Sequence, residues 1–134
     1  MIKIDFKNNF KGKGCSFGAS QAKSIASKII SKISPEKGNT TIEVILLEKT
    51  VMKKINSDLR NIDLATDVLS FPQSYLPKAK EKILGSILIA PEVAEEENIN
   101  CEKLFIHGVL HLLGFDHETN KHKWQNTEKI IKEI

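Results

Sequence analysis

The segment over residues 101–117 constrains this chain most, because its spacing specifies both a helix and the point where that helix ends. His107 and His111 are four residues apart, so on a helix their side chains lie on one face, about one turn apart. Gly114 follows at a position where a helix can end in a left-handed turn that glycine adopts at little cost. The chain then doubles back and brings His117 toward the same point. We therefore predict a helix over residues 101–113 and three imidazoles that converge at its end.

Three imidazoles with one open position are typical of a catalytic zinc ion, whereas structural zinc sites are closed by four protein ligands, mostly cysteines. His107, His111, Gly114 and His117 match the metal-related positions of the metzincin frame H-E-x-x-H-x-x-G-x-x-H. We predict that His107, His111 and His117 bind one zinc ion. Nickel or another late transition metal is compatible with the same ligands. The alternative is that His107 and His111 are solvated or capping residues on a core helix.

Gly108 occupies the position of the glutamate in that frame. A metalloprotease uses this glutamate to take a proton from water at the metal, so Gly108 disfavours peptide hydrolysis by that route. Asp116 is a candidate for another base or for a carboxylate that orients a metal ligand, and an ordinary turn-forming role is the alternative. His122 is interpreted as a surface residue.

The choice of cations points to a single residue. Lysine and arginine together number 20, and Arg60 is the one arginine, which leaves nineteen lysines. The guanidinium is a planar group with several donors that suits phosphate, so Arg60 is a candidate catalytic residue, with an ordinary surface role as the alternative. The net charge of +3 permits a polyanionic partner without requiring one.

Apolar periodicity predicts strands that alternate with helices. One stripe runs from Ala22 to Ile33, and another from Val51 through Met52 and Ile55 to Leu59 after a capping Thr50. The order βαβαββααα indicates an α+β fold, in which a small mixed β-sheet has helices packed mainly on one face. One of these helices is expected to be a zincin-like metal helix. Strands are predicted at residues 2–6, 40–48, 67–71 and 83–90. Helices are predicted at residues 19–33, 101–113 and 121–134, and two further helices are predicted to begin after residue 50 and at residue 91. Loops are predicted at residues 7–18 and 73–82.

Length and composition limit the class of protein. A chain of 134 residues with 40% hydrophobic and 28% charged residues is expected to be one soluble domain, 1–134. The start of the chain alternates like a strand and has no apolar run, so we expect no signal peptide, no membrane span and a cytoplasmic protein. Cys15 and Cys101 show no paired spacing and are expected to be reduced thiols.

Two long motifs resemble one family. The letters HGVLHLLGFDH at residues 107–117 are similar to the signature H-G-x-L-H-L-x-G-[FY]-D-H of the YbeY family of bacterial rRNA maturation factors. NSDLR at residues 56–60, followed by TDVLSFP at 66–72, is similar to a second block of that family, in which a helix with a fixed arginine precedes T-D-V-L-S-F-P. Two departures occur: Ser86 replaces the acidic residue of the family's L-G-D-I strand, and Leu59 replaces a common aromatic residue.

The resemblance implies a zinc-dependent, single-strand-specific endoribonuclease that acts in rRNA maturation, at the 3′ end of the small-subunit RNA, and in ribosome quality control. By motif, His107, His111 and His117 correspond to the zinc ligands, and Arg60 corresponds to the family's functionally important arginine. We take Arg60 and His107 as the catalytic residues. The implied partners are single-stranded rRNA and the ribosome or its small subunit, without a membrane.

Two other functions remain open at this point. A non-catalytic ribosome-binding factor would use zinc only to stiffen its C-terminal half, with Asp116 or His122 as a fourth ligand. A metal hydrolase of another substrate class, acting on peptides or small molecules, is disfavoured by Gly108 but would be revived by a glutamate from elsewhere beside the metal.

Overall fold

Strands and helices alternate in the first part of the chain, and two strands followed by two helices complete the described residues, which are 1–12, 16–72 and 83–115 of a computed structural model. The predicted closing helix 121–134 and predicted loop 73–82 lie outside these residues, as do residues 13–15 of the first predicted loop. The elements are β1 (Lys3–Asn8), α1 (Ala19–Ile33), a short 3-10 turn (Pro35–Lys37), β2 (Thr41–Leu46), α2 (Lys49–Arg60), β3 (Val68–Pro72), β4 (Ile83–Ile89), α3 (Pro91–Glu96) and α4 (Cys101–Leu112).

The four strands form one mixed sheet in the order β1-β2-β4-β3. β1 pairs with β2, and β2 with β4, in parallel, whereas β3 pairs with β4 antiparallel. β4 is therefore a central strand, and all its residues after Ile83 are buried. This near-continuous burial explains why β4 is mostly apolar, with Ser86 as its one polar residue, while β2 alternates between buried and half-buried positions.

The larger core lies on one face of the sheet, beneath α1 and α4. Ile42, Val44 and Leu46 of β2 share this face with residues of β4, because the paired positions of neighbouring strands point the same way. Burying an isoleucine or leucine side chain contributes roughly 1.5–3 kcal/mol, so this cluster accounts for much of the driving force for folding. The helical residues in it include Ala22, Ala26, Ile29, Ile30, Leu104, Phe105, Val109 and Leu110.

α2 covers part of the opposite face, where Met52 and Ile55 pack with Leu69 and Leu88. The mixed sheet with helices mainly on one face is thus confirmed. The predicted stripe of α2 was wrong at its two ends, because Val51 is 42% exposed and Leu59 is 64% exposed.

The start of α2 also differs from the prediction. Glu48 occupies the N-cap and Thr50 lies inside the first turn, so the predicted Thr50 cap was wrong. The carboxylate of Glu92, on α3, approaches the Lys49 backbone N–H at 3.5 Å. A residue from another helix thus lies where a local cap was expected, and a negative group suits this end of a helix.

α3 and α4 begin as their sequences predict. Pro91 takes the first helical position of α3, and Asn100 caps α4 by accepting a hydrogen bond from the Lys103 backbone N–H at 2.8 Å. Among the helices described here, none is both long and apolar enough to cross a bilayer.

Candidate functional site

α4 presents two of the predicted metal ligands. His107 and His111 are one turn apart near the end of this helix, with His107 half-buried and His111 exposed. The helix ends as predicted: Gly114 has a φ of 94°, its N–H donates to the His111 carbonyl, and the Phe115 N–H donates to the Leu110 carbonyl. These two bonds form the Schellman arrangement, which turns the chain back at a helix end. The third ligand, His117, comes three residues after Gly114 and lies outside the described residues.

Gly108 lies where α4 packs directly on β4. A Cβ atom added at Gly108 would lie 2.8 Å from Ile87 Cγ2 and 2.9 Å from Ile87 Cδ1. Ile87 is fully buried, so there is little room for any side chain here. A glutamate at this position would meet the sheet and could not act as the base of the metzincin frame. The packing thus gives a structural reason for the missing base.

Arg60 is the last residue of α2 and is exposed. The helix stops after it because Asn61 adopts a left-handed conformation, with φ 60° and ψ 31°. The following loop is anchored by Asn56, whose buried Nδ2 donates to the Leu64 carbonyl at 2.8 Å. Arg60 therefore sits between a helix end and a loop that are tied to each other.

A groove of about 850 Å³ brings Arg60 and His111 together. It runs along β3, whose side chains alternate between the two faces of the sheet, so the groove reaches both the α2 side and the α4 side. The two predicted residues come from helices that are distant in sequence. The apolar part of the lining consists of Leu59, Val68, Leu69, Phe71, Pro72 and Leu88, and the polar part of Glu43, Arg60, Ser70, Ser86 and His111.

A carboxylate lies in this groove at a place that the sequence did not reveal. Glu43 of β2 is paired with Ser86 of β4, and Ser86 Oγ donates to Glu43 Oε1 at 2.8 Å. Lys7 Nζ donates to Glu43 Oε2 at 3.2 Å and lies 3.9 Å from Asp5. The hydrogen bond to Glu43 and the negative charges of Glu43 and Asp5 raise the pKa of Lys7. Alternation in β2 signals that Glu43 faces away from the main core, but only strand pairing places it beside Ser86.

The predicted site residues are brought together in part. Arg60 and His111 share the groove, while His107 is not among the described residues that line it. Within residues 1–12, 16–72 and 83–115, no three His, Cys, Asp or Glu side chains are grouped so as to hold a metal ion. The predicted zinc site depends on His117 for its third ligand, and His117, Asp116 and His122 all lie outside those ranges.

A second cavity, of about 420 Å³, lies between the N-terminal segment and the start of α4. Phe10, Phe17 and Cys101 are among the residues that line it. Its described lining residues include neither histidine nor arginine. The groove along β3 is therefore the better candidate site.

Comparison with known proteins connects this chain to one family. The family described as Endoribonuclease YbeY matches residues 7–134. A relative named Endoribonuclease YbeY from Sulfurimonas denitrificans is 44% identical over 116 residues, which is 80% of this chain and 81% of the relative. A protein of the same name from Helicobacter pylori is 40% identical over 114 residues, covering 78% of this chain and 79% of that protein. A solution structure of TM1509 from Thermotoga maritima is similar with a TM-score of 0.57 and 29% identity, covering 97% of this chain and 87% of that one.

Proposed function

The chain belongs to the Endoribonuclease YbeY family, and on that premise we propose that it is a zinc-dependent endoribonuclease that cleaves single-stranded RNA. One observation carries the proposal for this molecule: Arg60 and His111, which the sequence singles out for separate reasons, line the same groove. A phosphate-binding cation beside a metal-ligand histidine suits phosphodiester cleavage.

The lining of the groove favours an unpaired strand. Leu59, Phe71 and Leu88 give it an apolar wall, and the base of an unpaired nucleotide has free faces that such a wall can cover. Arg60 would hold non-bridging phosphate oxygens with its planar donors and stabilise negative charge as the bond breaks. In duplex RNA the bases are stacked, so only the phosphates would reach the groove.

The residues of α4 fit the predicted metal. His107 and His111 are one turn apart on one helix, and the Schellman end at Gly114 turns the chain back just before His117. We propose that these three histidines hold one zinc ion. When bound, zinc acts as a Lewis acid that polarises a phosphoryl oxygen and makes water more acidic. Asp116, from the sequence alone, is our candidate for the general base.

In the cell, we propose that the enzyme matures the 3′ end of small-subunit rRNA and takes part in ribosome quality control. Its partners would be single-stranded rRNA and the small ribosomal subunit, in the cytoplasm. This assignment rests on the family, and it is tested by mapping rRNA ends in a strain depleted of the protein.

Cleavage of a labelled single strand tests the nuclease activity. We expect Arg60→Glu and His107→Ala to lower the rate by about a hundredfold or more, because each removes a group that acts on the scissile phosphate or its metal. Two matched controls are Lys32→Glu, which reverses a charge on exposed α1 surface, and Lys103→Ala, an exposed truncation on α4 itself. Both should cleave at the parental rate.

Metal analysis of the same proteins gives a readout independent of activity. The parent should carry about one zinc ion per chain, and His107→Ala and His111→Ala should carry almost none. Parental cleavage by the Arg60 and His107 variants would assign the activity to a contaminating nuclease. Tight binding to the small subunit without cleavage by the parent would instead favour the non-catalytic ribosome-binding factor.

A further inference from the structure

The Glu43 carboxylate is a positioned negative group in a groove that otherwise carries a cation and an imidazole. Ser86 donates to Oε1 and Lys7 donates to Oε2, so both oxygens are held. The Glu43 side chain keeps 28% of its surface exposed, and it lines the groove. A carboxylate oxygen has two acceptor positions, so each oxygen has one more position than these contacts use.

The charge of Glu43 decides which part of a nucleotide it can contact. A carboxylate and a phosphate repel each other, so the phosphate of a bound strand belongs at Arg60. A carboxylate accepts hydrogen bonds from N–H and O–H groups, which in a ribonucleotide are on the base and on the ribose 2′-hydroxyl. Of these two, the base alone distinguishes one nucleotide from another. Unpaired bases are commonly recognised through their Watson–Crick edges, which a duplex would hide.

We infer that Glu43 reads the Watson–Crick edge of an unpaired base in this groove and that it favours guanine, an inference that rests on the proposed function. Guanine offers two adjacent donors, N1–H and N2–H, which match the two oxygens of a carboxylate. Adenine, cytosine and uracil each place an acceptor next to their donor, and that acceptor would face the second oxygen. Glu43 is thus a specificity-determining residue.

Ser86 and Lys7 act as positioning residues for Glu43. Ser86 is 5% exposed, so its hydroxyl is held in the sheet and directs Oε1. Lys7, on the neighbouring strand β1, forms an ion pair with Glu43. Its positive charge would reduce the electrostatic repulsion between Glu43 and the phosphates of a bound RNA strand. The family resemblance led us to expect an acidic residue at the β4 position that Ser86 occupies. In this chain the carboxylate is instead that of Glu43, at the paired position of β2.

Four short RNA strands that differ in one central nucleotide test the inference. Binding and cleavage are measured separately for the parent, Glu43→Gln, Ser86→Ala and the control Glu36→Gln, which removes the same charge from an exposed turn. We expect the parent and Glu36→Gln to prefer guanine by about tenfold, Glu43→Gln to show less than about a twofold preference, and Ser86→Ala to fall between them. Thermal unfolding of each variant verifies that it is folded.

Three results would overturn the inference: no guanine preference in the parent, an unchanged preference in Glu43→Gln, or loss of bound metal in Glu43→Gln, which would assign the carboxylate to a cation. Failure of the proposed function looks different, because then the parent cleaves none of the strands. The binding measurement still reports the base preference in that case.

Discussion

At the residue scale, Gly108 shows how a single missing side chain sets the distance between a helix and a sheet. Gly108→Ala should destabilise the protein by about 1 kcal/mol, because overpacking against Ile87 costs about 1–3 kcal/mol and alanine regains about 1 kcal/mol of helix propensity. Urea unfolding measures the change. Ile87→Val removes Cδ1, one of the atoms that a new Cβ would meet. The double variant should therefore lose less unfolding free energy than the sum of the losses in the two single variants. A higher urea midpoint for Gly108→Ala would show that the sheet has room at this point.

Asn56 is the second residue whose role is local and measurable. It is 2% exposed, and its amide nitrogen is bonded to the Leu64 carbonyl, whereas its Oδ1 is buried with no hydrogen-bond partner among the described residues. Asn56→Ala should cost about 1–3 kcal/mol, since it leaves that carbonyl without its donor. The exposed Asn9→Ala should leave stability unchanged. Equal unfolding midpoints for the two variants would mean that the loop beside Arg60 is held by other contacts.

At the element scale, the end of α4 depends on the backbone conformation of Gly114. Among residues 1–12, 16–72 and 83–115, a Cβ atom here would meet nothing within 4 Å, so we expect a substitution to act through its φ of 94°. Gly114→Ala should destabilise the protein by about 1–2 kcal/mol and weaken zinc binding, because the left-handed conformation is unfavourable for alanine. Lys103→Ala, an exposed truncation on the same helix, is the control. The pair is compared by thermal unfolding and zinc titration, and unchanged zinc affinity in Gly114→Ala would separate the turn from the metal site.

The end of α3 carries a pH-dependent pair of carboxyl groups. Partial desolvation, the negative charge of Asp67 and a hydrogen bond with Asp67 raise the pKa of Glu97, although its side chain is largely exposed. Because the pKa of Glu97 is raised in the folded state, its protonation stabilises the fold. This stabilisation is fully present below the usual pKa of 4.5, and it is lost as pH rises through the folded-state pKa. Glu97→Gln should therefore raise the melting temperature at pH 7 relative to the parent, and the difference should shrink in acid.

Melting curves over a pH series measure this effect, with the exposed Glu95→Gln on the same helix as the control. A constant difference between Glu97→Gln and the parent at all pH values would mean that Asp67 and Glu97 do not interact. Because Glu97 is exposed, we expect only a small shift.

How far the elements could be predicted depends on whether their signals are local. α1 matches its prediction of residues 19–33 because its apolar spacing and its flanking turns lie in one stretch of sequence. α2 differs from its prediction because its contacts involve residues that are remote in sequence. Asn56 is buried and donates a hydrogen bond to the following loop, and Glu92 supplies a carboxylate from another helix. Leu59 continues the apolar spacing but lines the groove instead of the core.

At the scale of the whole molecule, metal removal should change stability as well as activity. If zinc joins α4 to the following chain, its binding adds to the free energy of unfolding, by about 2.7 kcal/mol at a hundredfold excess over Kd. Chelation should lower the melting temperature, and added zinc should restore it. His107→Ala should melt at one temperature under both conditions. An equal response of the parent and this variant to zinc would place the metal elsewhere.

The mixed sheet could be predicted because each strand carries its own apolar signal, but the order of the strands could not. Register places Ser86 of β4 between Glu43 of β2 and Phe71 of β3, and no spacing along the chain reports this arrangement. The sequence also could not predict that Arg60 and His111 line one groove, since each residue stands out in the sequence for a different chemical reason. The topology of the sheet and helices brings them there. His117 stays a prediction.

The position of β4 has a consequence for biosynthesis. β4 is the last of the four described strands to leave the ribosome, yet it lies between β2 and β3. β3 has no other strand partner in the described sheet, so the wall of the groove that it carries cannot be assembled until translation has passed Ile89. A nascent chain would thus expose Arg60 before the proposed RNA-binding groove exists, and the groove would form only after β4 has been synthesised.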